Sequence, residues 1–147
     1  MFQKKYVLGG LAVFAVLLFS AQVFAQVKER QALMKEQSAD NKAIKGAVET
    51  KDFATIEAKA KDLMGSSEKI VGAFPKGSDK GKTKATAAIW DKSDDFAKAA
   101  KKLGTAATAL ASAAKAKDEA AVTAGVKDVS SACGGCHKAF RSKEYGQ

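Results

Sequence analysis

Apolar residues recur every three or four positions along four stretches of the chain, the spacing at which side chains share one face of an α-helix. The stretches cover residues 27–49, 52–74, 86–115 and 117–143. They are rich in alanine and lysine, which favour helix, and Pro75, the one proline of the chain, ends the second stretch. Four amphipathic helices joined by short connections predict an all-α fold, an antiparallel up-down-up-down four-helix bundle.

Each predicted helix has an apolar stripe that we expect to face the core. The longest connection, residues 75–82, combines proline, glycine and serine and lacks apolar side chains, as is typical of a loop. The expected core-facing residues are, in chain order, Val27, Met34, Ile44 and Val48; Phe53, Ile56, Ala60, Leu63 and Ile70; Ile89, Trp90, Phe96, Leu103, Ala107 and Leu110; and Val122, Val126, Val129, Cys133, His137 and Phe140.

Residues 1–25 have the pattern of a secretory signal peptide. Lys4 and Lys5 form a charged start, and residues 6–20 carry no charge. Val23-Phe24-Ala25 then provides a small-residue cleavage site. We therefore expect the first 25 residues to be removed.

A membrane anchor is the alternative interpretation, because residues 6–25 are just long enough to span a bilayer. The cleavage site and the change to charged sequence directly after Val27 favour removal of the segment. We expect one mature domain, residues 26–147, with no stable membrane insertion after cleavage.

The chain is basic, with 25 lysines and arginines, 16 acidic residues and a formal net charge of +9. Losing the two lysines of the signal segment leaves +9 − 2 = +7. The lysines are spread along every segment, aromatic residues are few, and no nucleic-acid-binding motif is present, which argues against nucleic acid as a partner. Such a surface steers encounters with acidic protein partners, and simple solubility explains it equally well.

Cys133-Gly134-Gly135-Cys136-His137 is the attachment signature of a c-type haem, in which two thiols form thioethers and the imidazole is an axial ligand of iron. On a helix, positions i, i+3 and i+4 share one face, so these three side chains can point at the same flat group. We expect the two glycines to leave no side chain between the backbone and the macrocycle. Because this haem is attached outside the bacterial inner membrane, motif and signal peptide together predict the periplasm.

Three other interpretations of the motif are weaker. A thioredoxin-like redox pair belongs in a βαβ unit, which the helical pattern does not provide. A zinc site needs about four ligands, and the two cysteines and one histidine of the chain all lie inside the motif. A disulfide across two glycines would close a very small loop and add little stability.

These features together resemble the class II cytochromes c, the family of cytochrome c-prime and its low-spin relatives, which carry the motif near the C-terminus. Residues 133–141, Cys-Gly-Gly-Cys-His-Lys-Ala-Phe-Arg, match the family pattern. Ile89-Trp90 followed by Phe96 resembles the third helix of the family, and residues 30–34, Arg-Gln-Ala-Leu-Met, resemble its first. The resemblance implies a four-helix bundle holding one covalently bound haem c.

The resemblance also implies roles for the first helix. The residue four positions after its arginine faces the distal side of the haem, and a methionine there ligates iron in the low-spin members. Met34 is therefore the expected sixth ligand, and Arg30 is expected beside a haem propionate. Two alternatives stay open: a register shift that places Leu33 over the iron, and Met34 as ordinary core filler.

Three further residues are candidates for the haem pocket. Phe140 lies one turn from His137 and is expected to form a wall of the pocket. Trp90 is expected to pack against the haem edge or at the end of the bundle. Arg141 either tunes the proximal side of the haem or is solvated.

With His137 and Met34 both bound to iron, no coordination position stays open, and the iron exchanges only electrons. The resemblance thus implies a periplasmic mono-haem electron-transfer protein, not an enzyme, because the lone histidine is used as a ligand and leaves no general base. Its expected partners are redox proteins with acidic contact surfaces, and two chains of this family often pair through the first helix. The alternative is a five-coordinate, cytochrome c-prime-like protein that binds NO or CO.

Overall fold

The computed structural model describes the backbone of residues 7–144 and the side chains of residues 25–144. Its regular secondary structure is helical, apart from an isolated antiparallel bridge between Ala85 and Arg141. The elements are α1 (Val7–Glu49), α2 (Phe53–Glu68), a 3-10 turn (Val71–Ala73), α3 (Ala88–Asp91), α4 (Ser93–Lys115) and α5 (Glu119–Phe140).

The four long helices, α1, α2, α4 and α5, form the predicted bundle, which confirms the all-α fold class. Neighbouring helices in the chain pack against each other: α1 on α2, α2 on α4, and α4 on α5. The first and last helices make little direct contact, and a cavity separates them. This opening is the structural basis of the candidate site.

The first helix begins inside the predicted signal peptide and continues without interruption through the predicted cleavage site at Ala25. Lys4 and Lys5, the charged start of that segment, lie outside the described residues. Within the described part of the chain, no helix is both long and apolar enough to cross a membrane. Cleavage after Ala25 stays a prediction.

The predicted third helix, residues 86–115, is interrupted where the structure separates α3 from α4. Lys92 has non-helical backbone angles, with φ −125° and ψ 50°. Asp94 and Asp95 lie in the first turn of α4, where their negative charge suits the positive end of the helix dipole. Serine and aspartate at residues 93–95 are typical of a helix start, a signal that the apolar periodicity alone does not reveal.

The other helix ends also differ from the prediction. The predicted second helix was expected to reach residue 74, but α2 ends at Glu68 and only a 3-10 turn follows. The fourth predicted helix corresponds to α5, which starts after Asp118. The Asp118 carboxylate caps it by accepting a hydrogen bond from the Ala121 N–H at 3.0 Å. This helix ends at Phe140 because Arg141 is extended and pairs with the loop before α3.

The core is apolar and close to the predicted one. The predicted residues with less than 2% of their surface exposed include large aliphatic side chains from every long helix: Ile44, Ile56, Leu63, Leu110 and Val129. Met34, Trp90, Val126 and Cys133 are only partly buried against this core. Removing large aliphatic residues such as these typically costs about 2–5 kcal/mol, so the bundle rests mainly on this cluster.

Replacing Gly125 by alanine should lower the free energy of unfolding. Alanine gains about 1 kcal/mol in helix propensity over glycine. However, its methyl group would lie 3.1–3.3 Å from Leu110, including the Cα atom at 3.3 Å, and overpacking of this kind costs about 1–3 kcal/mol. Guanidinium denaturation measures the change. In the control, Gly46→Ala, no atom lies within 4 Å of the new methyl group, so stability should rise by about 1 kcal/mol. Equal gains at both positions would contradict the close approach of α4 and α5.

Candidate functional site

A cavity of about 750 Å³ lies between α1 and α5, within the range of about 300–1,000 Å³ that is usual for ligand sites. Residues of α1 form one wall and residues of α5 the facing wall. The loop before α3 and the apolar side chains of α4 close the remaining sides. The site is therefore built between helices of a bundle, where such folds commonly hold a cofactor.

The α5 wall carries the attachment motif. Cys133, Cys136 and His137 all line the cavity, as their helical spacing predicts. Both cysteines are free thiols, and burial raises the pKa of each. In the described part of the chain, no group of three or more histidine, cysteine or acidic side chains is arranged to hold a metal ion by itself. The three side chains are thus presented together to whatever fills the cavity.

The imidazole of His137 opens onto this cavity. The residue is exposed and not part of the buried core that its stripe predicts, yet the burial that its ring does have lowers its pKa, and the positive charge of Arg141 lowers the pKa further. Both effects disfavour the imidazolium form. Both effects therefore favour the neutral imidazole, the form that can coordinate iron.

The α1 wall places Met34 on the cavity, facing the helix that carries His137. Its neighbour Leu33 is also partly buried but is absent from the described lining of the cavity. Gln37 and Asn41, which sequence reasoning missed, lie further along the same wall. The Oδ1 atom of Asn41 is buried without a hydrogen-bond partner. Their spacing from Met34, at three and seven residues, is the helical signal that could have identified them.

Arg30 also lines the cavity, where its charge is almost completely buried. Only 2% of the residue is exposed. Its guanidinium donates to the Ser78 hydroxyl, the Ser78 carbonyl and the Thr83 hydroxyl, each at 2.6 Å, and its charge lies over the Phe74 ring. Burial lowers its pKa, and the nearby negative charge of Asp79 partly offsets this. All three hydrogen-bond acceptors are neutral, so none of these bonds pairs the buried cation with an anion.

Aromatic side chains form the end of the cavity near Arg30. Phe140 is buried there, as predicted, and packs edge-to-face on Phe96 with ring centroids 5.2 Å apart. Phe96 packs in the same way on Phe74 at 5.1 Å. The structure does not bring Trp90 to the described cavity lining: its indole N–H donates to the Phe74 carbonyl at 3.0 Å, and its neighbour Ile89 lines the cavity instead.

The two glycines of the motif do not have the position that the sequence suggested. Gly134 and Gly135 are exposed and are absent from the described lining of the cavity. A Cβ atom added at either position would meet no atom within 4 Å. They lie on the solvent side of α5 because the cavity takes positions 132, 133, 136, 137 and 140 of that helix. The expectation that these glycines leave room for the macrocycle is wrong, because they lie on the exposed face of α5 and not on the face that lines the cavity.

The lining of the cavity is basic. It includes Lys35, Lys84 and Arg141 besides the buried Arg30, and the described lining contains no acidic residue. Lys45 is close enough to Cys133 to lower the pKa of the thiol slightly against the larger effect of burial. A molecule or protein surface that approaches this opening meets positive charge.

The residues of the cavity fit a covalently bound haem. The thiols of Cys133 and Cys136 and the imidazole of His137 lie on one wall. The Met34 sulfur side chain lies on the facing wall, and aromatic rings close one end. The buried guanidinium suits a carboxylate of the cofactor. The donor set thus fits a haem c.

Comparison with known proteins agrees with this assignment. The family model described as Cytochrome C' matches residues 25–141. A cytochrome c-556 from Agrobacterium tumefaciens is 30% identical over 122 residues, which cover 81% of this chain and 98% of that protein. The crystal structure of cytochrome c' from Thermochromatium tepidum, 30% identical, superposes with a TM-score of 0.75 over 81% of this chain and 95% of that one. A cytochrome c' described as having a ligand-controlled dimer dissociation, 27% identical, superposes with a TM-score of 0.76 over the same shares.

Proposed function

Because this chain belongs to the cytochrome c' family, the class II cytochromes c, we propose that it is a periplasmic mono-haem electron-transfer protein. The family makes it a c-type haem protein, and the proposal specifies how the haem is held. Cys133 and Cys136 bind it covalently, and His137 and Met34 are the axial ligands of its iron. When bound, the haem supplies one-electron chemistry at the iron.

The placement of Met34 is the observation that carries this proposal. Met34 lines the cavity on α1, and His137 lines it on the facing helix α5. The Met34 thioether and the His137 imidazole on opposite walls could both hold haem iron, which would leave no position for a small molecule. The relatives do not decide the point, since they include both a cytochrome c-556 and a cytochrome c'. NO or CO binding at a five-coordinate iron is therefore the alternative that the experiments below exclude or establish.

Reoxidation by an anionic one-electron oxidant tests the function directly. Reduced protein mixed with ferricyanide should be oxidised at the same rate with and without CO, because both axial positions are filled by side chains. A rate that falls when CO is added would show an open coordination position and favour gas binding. The measurement needs only the purified holoprotein and stopped-flow absorption.

The basic residues of the cavity lining are proposed to receive acidic redox partners. Reversing the charge in Lys35→Glu/Lys84→Glu should slow oxidation by ferricyanide severalfold at low ionic strength, because favourable steering is replaced by repulsion. The difference should disappear at about 1 M salt, where charges are screened within about 3 Å. Lys127→Glu, an exposed position on α5 away from the lining, is the control with little effect. Equal slowing by the control would mean that only the net charge matters.

Export and cleavage are proposed from the signal pattern. The mature protein isolated from the periplasm should begin at Gln26, and intact-mass spectrometry measures this together with the added mass of one haem. Retention of residues 1–25 in a membrane fraction would establish the anchor instead.

Pairing of two chains is a further part of the proposal. One structural relative is described as a dimer whose dissociation is ligand-controlled. Sedimentation velocity at increasing protein concentration should show a monomer–dimer equilibrium for the holoprotein. A single monomeric species throughout would contradict it.

A further inference from the structure

A set of mostly buried hydrogen bonds joins α1 to the loop that lines one side of the cavity. Arg30 binds Ser78 through two hydrogen bonds and Thr83 through one, all at 2.6 Å. The adjacent Gln31 side chain donates to the Lys82 carbonyl at 2.9 Å. Ser78 is fully buried and Thr83 is 3% exposed. Residues 78–86, here named the strap, are therefore fixed to the first helix.

The same strap is fixed at its other end to the helix that carries the attachment motif. The Thr86 N–H and hydroxyl both donate to the Phe140 carbonyl at 3.1 Å. The Ser142 N–H donates to the Lys84 carbonyl at 2.9 Å, and Ala85 pairs with Arg141 in the isolated bridge. The strap thus ends on the last turn of α5, one turn beyond His137.

This connection matters because α1 and α5 have little direct contact elsewhere. The cavity separates them, so side-chain packing alone does not fix one against the other. Arg30 lies four residues before Met34, about 6 Å along the helix axis. The guanidinium is a planar, rigid donor, and its three buried bonds define both the height and the rotation of α1 at this point.

We infer that Arg30 is a positioning residue which, through the strap, holds Met34 opposite His137. This inference rests on the proposed function, since it assumes that Met34 is an axial ligand. The inference gives Arg30 a role besides contact with a haem propionate, because its hydrogen bonds connect α1 to the strap. Ser78 and Thr83 share the role, although neither lines up with any motif in the sequence.

The strap variants separate this role from a direct contact with the cofactor. Ser78→Ala/Thr83→Val removes two of the three bonds while Arg30 and its charge remain. The reduced variant should then bind CO at least about tenfold faster than the upper limit that can be set for the unreactive wild type, because a minor population with Met34 displaced becomes larger. Arg30→Lys, which keeps a positive charge but loses the planar donor, should have an effect in the same direction.

Matched controls exclude a general loss of stability as the cause. Leu63→Ala removes a fully buried side chain on α2 and should lower stability by about 2–5 kcal/mol without changing CO binding. The double variant Arg30→Lys/Thr83→Val should raise the rate of CO binding by less than the product of the two single increases, since both changes remove the Arg30–Thr83 hydrogen bond.

The outcomes distinguish this inference from the proposed function. CO binding as fast in wild type as in the variants would mean that Met34 is not a ligand, and the proposed function would fail. If wild type and the strap variants all stay low-spin and unreactive to CO, Met34 is a ligand but the strap does not position it. An effect of Arg30→Lys without any effect of Ser78→Ala/Thr83→Val would also overturn the inference and assign Arg30 to the cofactor alone.

Discussion

Replacing both Cys133 and Cys136 by serine should abolish covalent retention of haem. Thioether bonds survive denaturation, so wild-type protein should stain for haem on a denaturing gel and keep its haem in acidified organic solvent. The double variant should lose all of it under the same conditions, because His137 and Met34 provide only coordinate bonds. The hydroxyl group is close in size to the thiol, and the cavity itself should persist.

Single variants provide the control for this result. Cys133→Ser and Cys136→Ser each leave one thiol on the cavity wall, so each should retain haem through one thioether. Haem staining of the double variant at the wild-type level would show that the motif does not attach the cofactor in this protein.

Replacing Met34 by leucine should convert a low-spin protein into a high-spin protein that binds CO. Leucine has nearly the volume of methionine but lacks the sulfur atom, so the fold should lose less than about 1.5 kcal/mol. The position opposite His137 would then be open to a small molecule. Absorption spectra of the oxidised and CO-treated reduced protein measure both changes.

Met64→Leu is the matched control. Met64 is the one other methionine of the predicted mature chain. Its side chain is partly buried on α2 and is absent from the described cavity lining. The same chemical change there should leave the spectrum as in wild type. A low-spin, CO-inert Met34→Leu protein would contradict the assignment of Met34 and direct attention to another residue of the α1 wall.

The sequence predicts the bundle well because helical periodicity is a local property. Ile44, Ile56, Leu63, Leu110 and Val129 were all expected in the core and are all fully buried. The same spacing argument correctly places the three side chains of the attachment motif on one wall. The sequence is sufficient to predict which side chains of a helix share one face.

Features that depend on contacts between distant residues were not predictable in this way. The bonds from Arg30 to Ser78 and Thr83 join residues 48 and 53 positions apart, and no local pattern signals them. Trp90 is absent from the described cavity lining, and its indole N–H donates to the Phe74 carbonyl, 16 residues away. Tertiary hydrogen bonds of this kind decide where a side chain points after the helix has formed.

The glycines of the motif show a different reason for error. Their small size suggested that they make room for the cofactor, but size says nothing about direction. The helix rotates Gly134 and Gly135 to the exposed face, since positions 133, 136 and 137 already face the cavity. The same helical spacing that brings Cys133, Cys136 and His137 to the cavity places the two glycines on the opposite face of α5.

The absorption spectrum of the mature holoprotein tests the central claim most directly, recorded oxidised, reduced, and reduced with CO. Ligation by His137 and Met34 predicts a low-spin spectrum with a far-red sulfur-to-iron band when oxidised and no change on adding CO when reduced. A high-spin spectrum that shifts with CO would contradict the claim and make this chain a gas-binding protein.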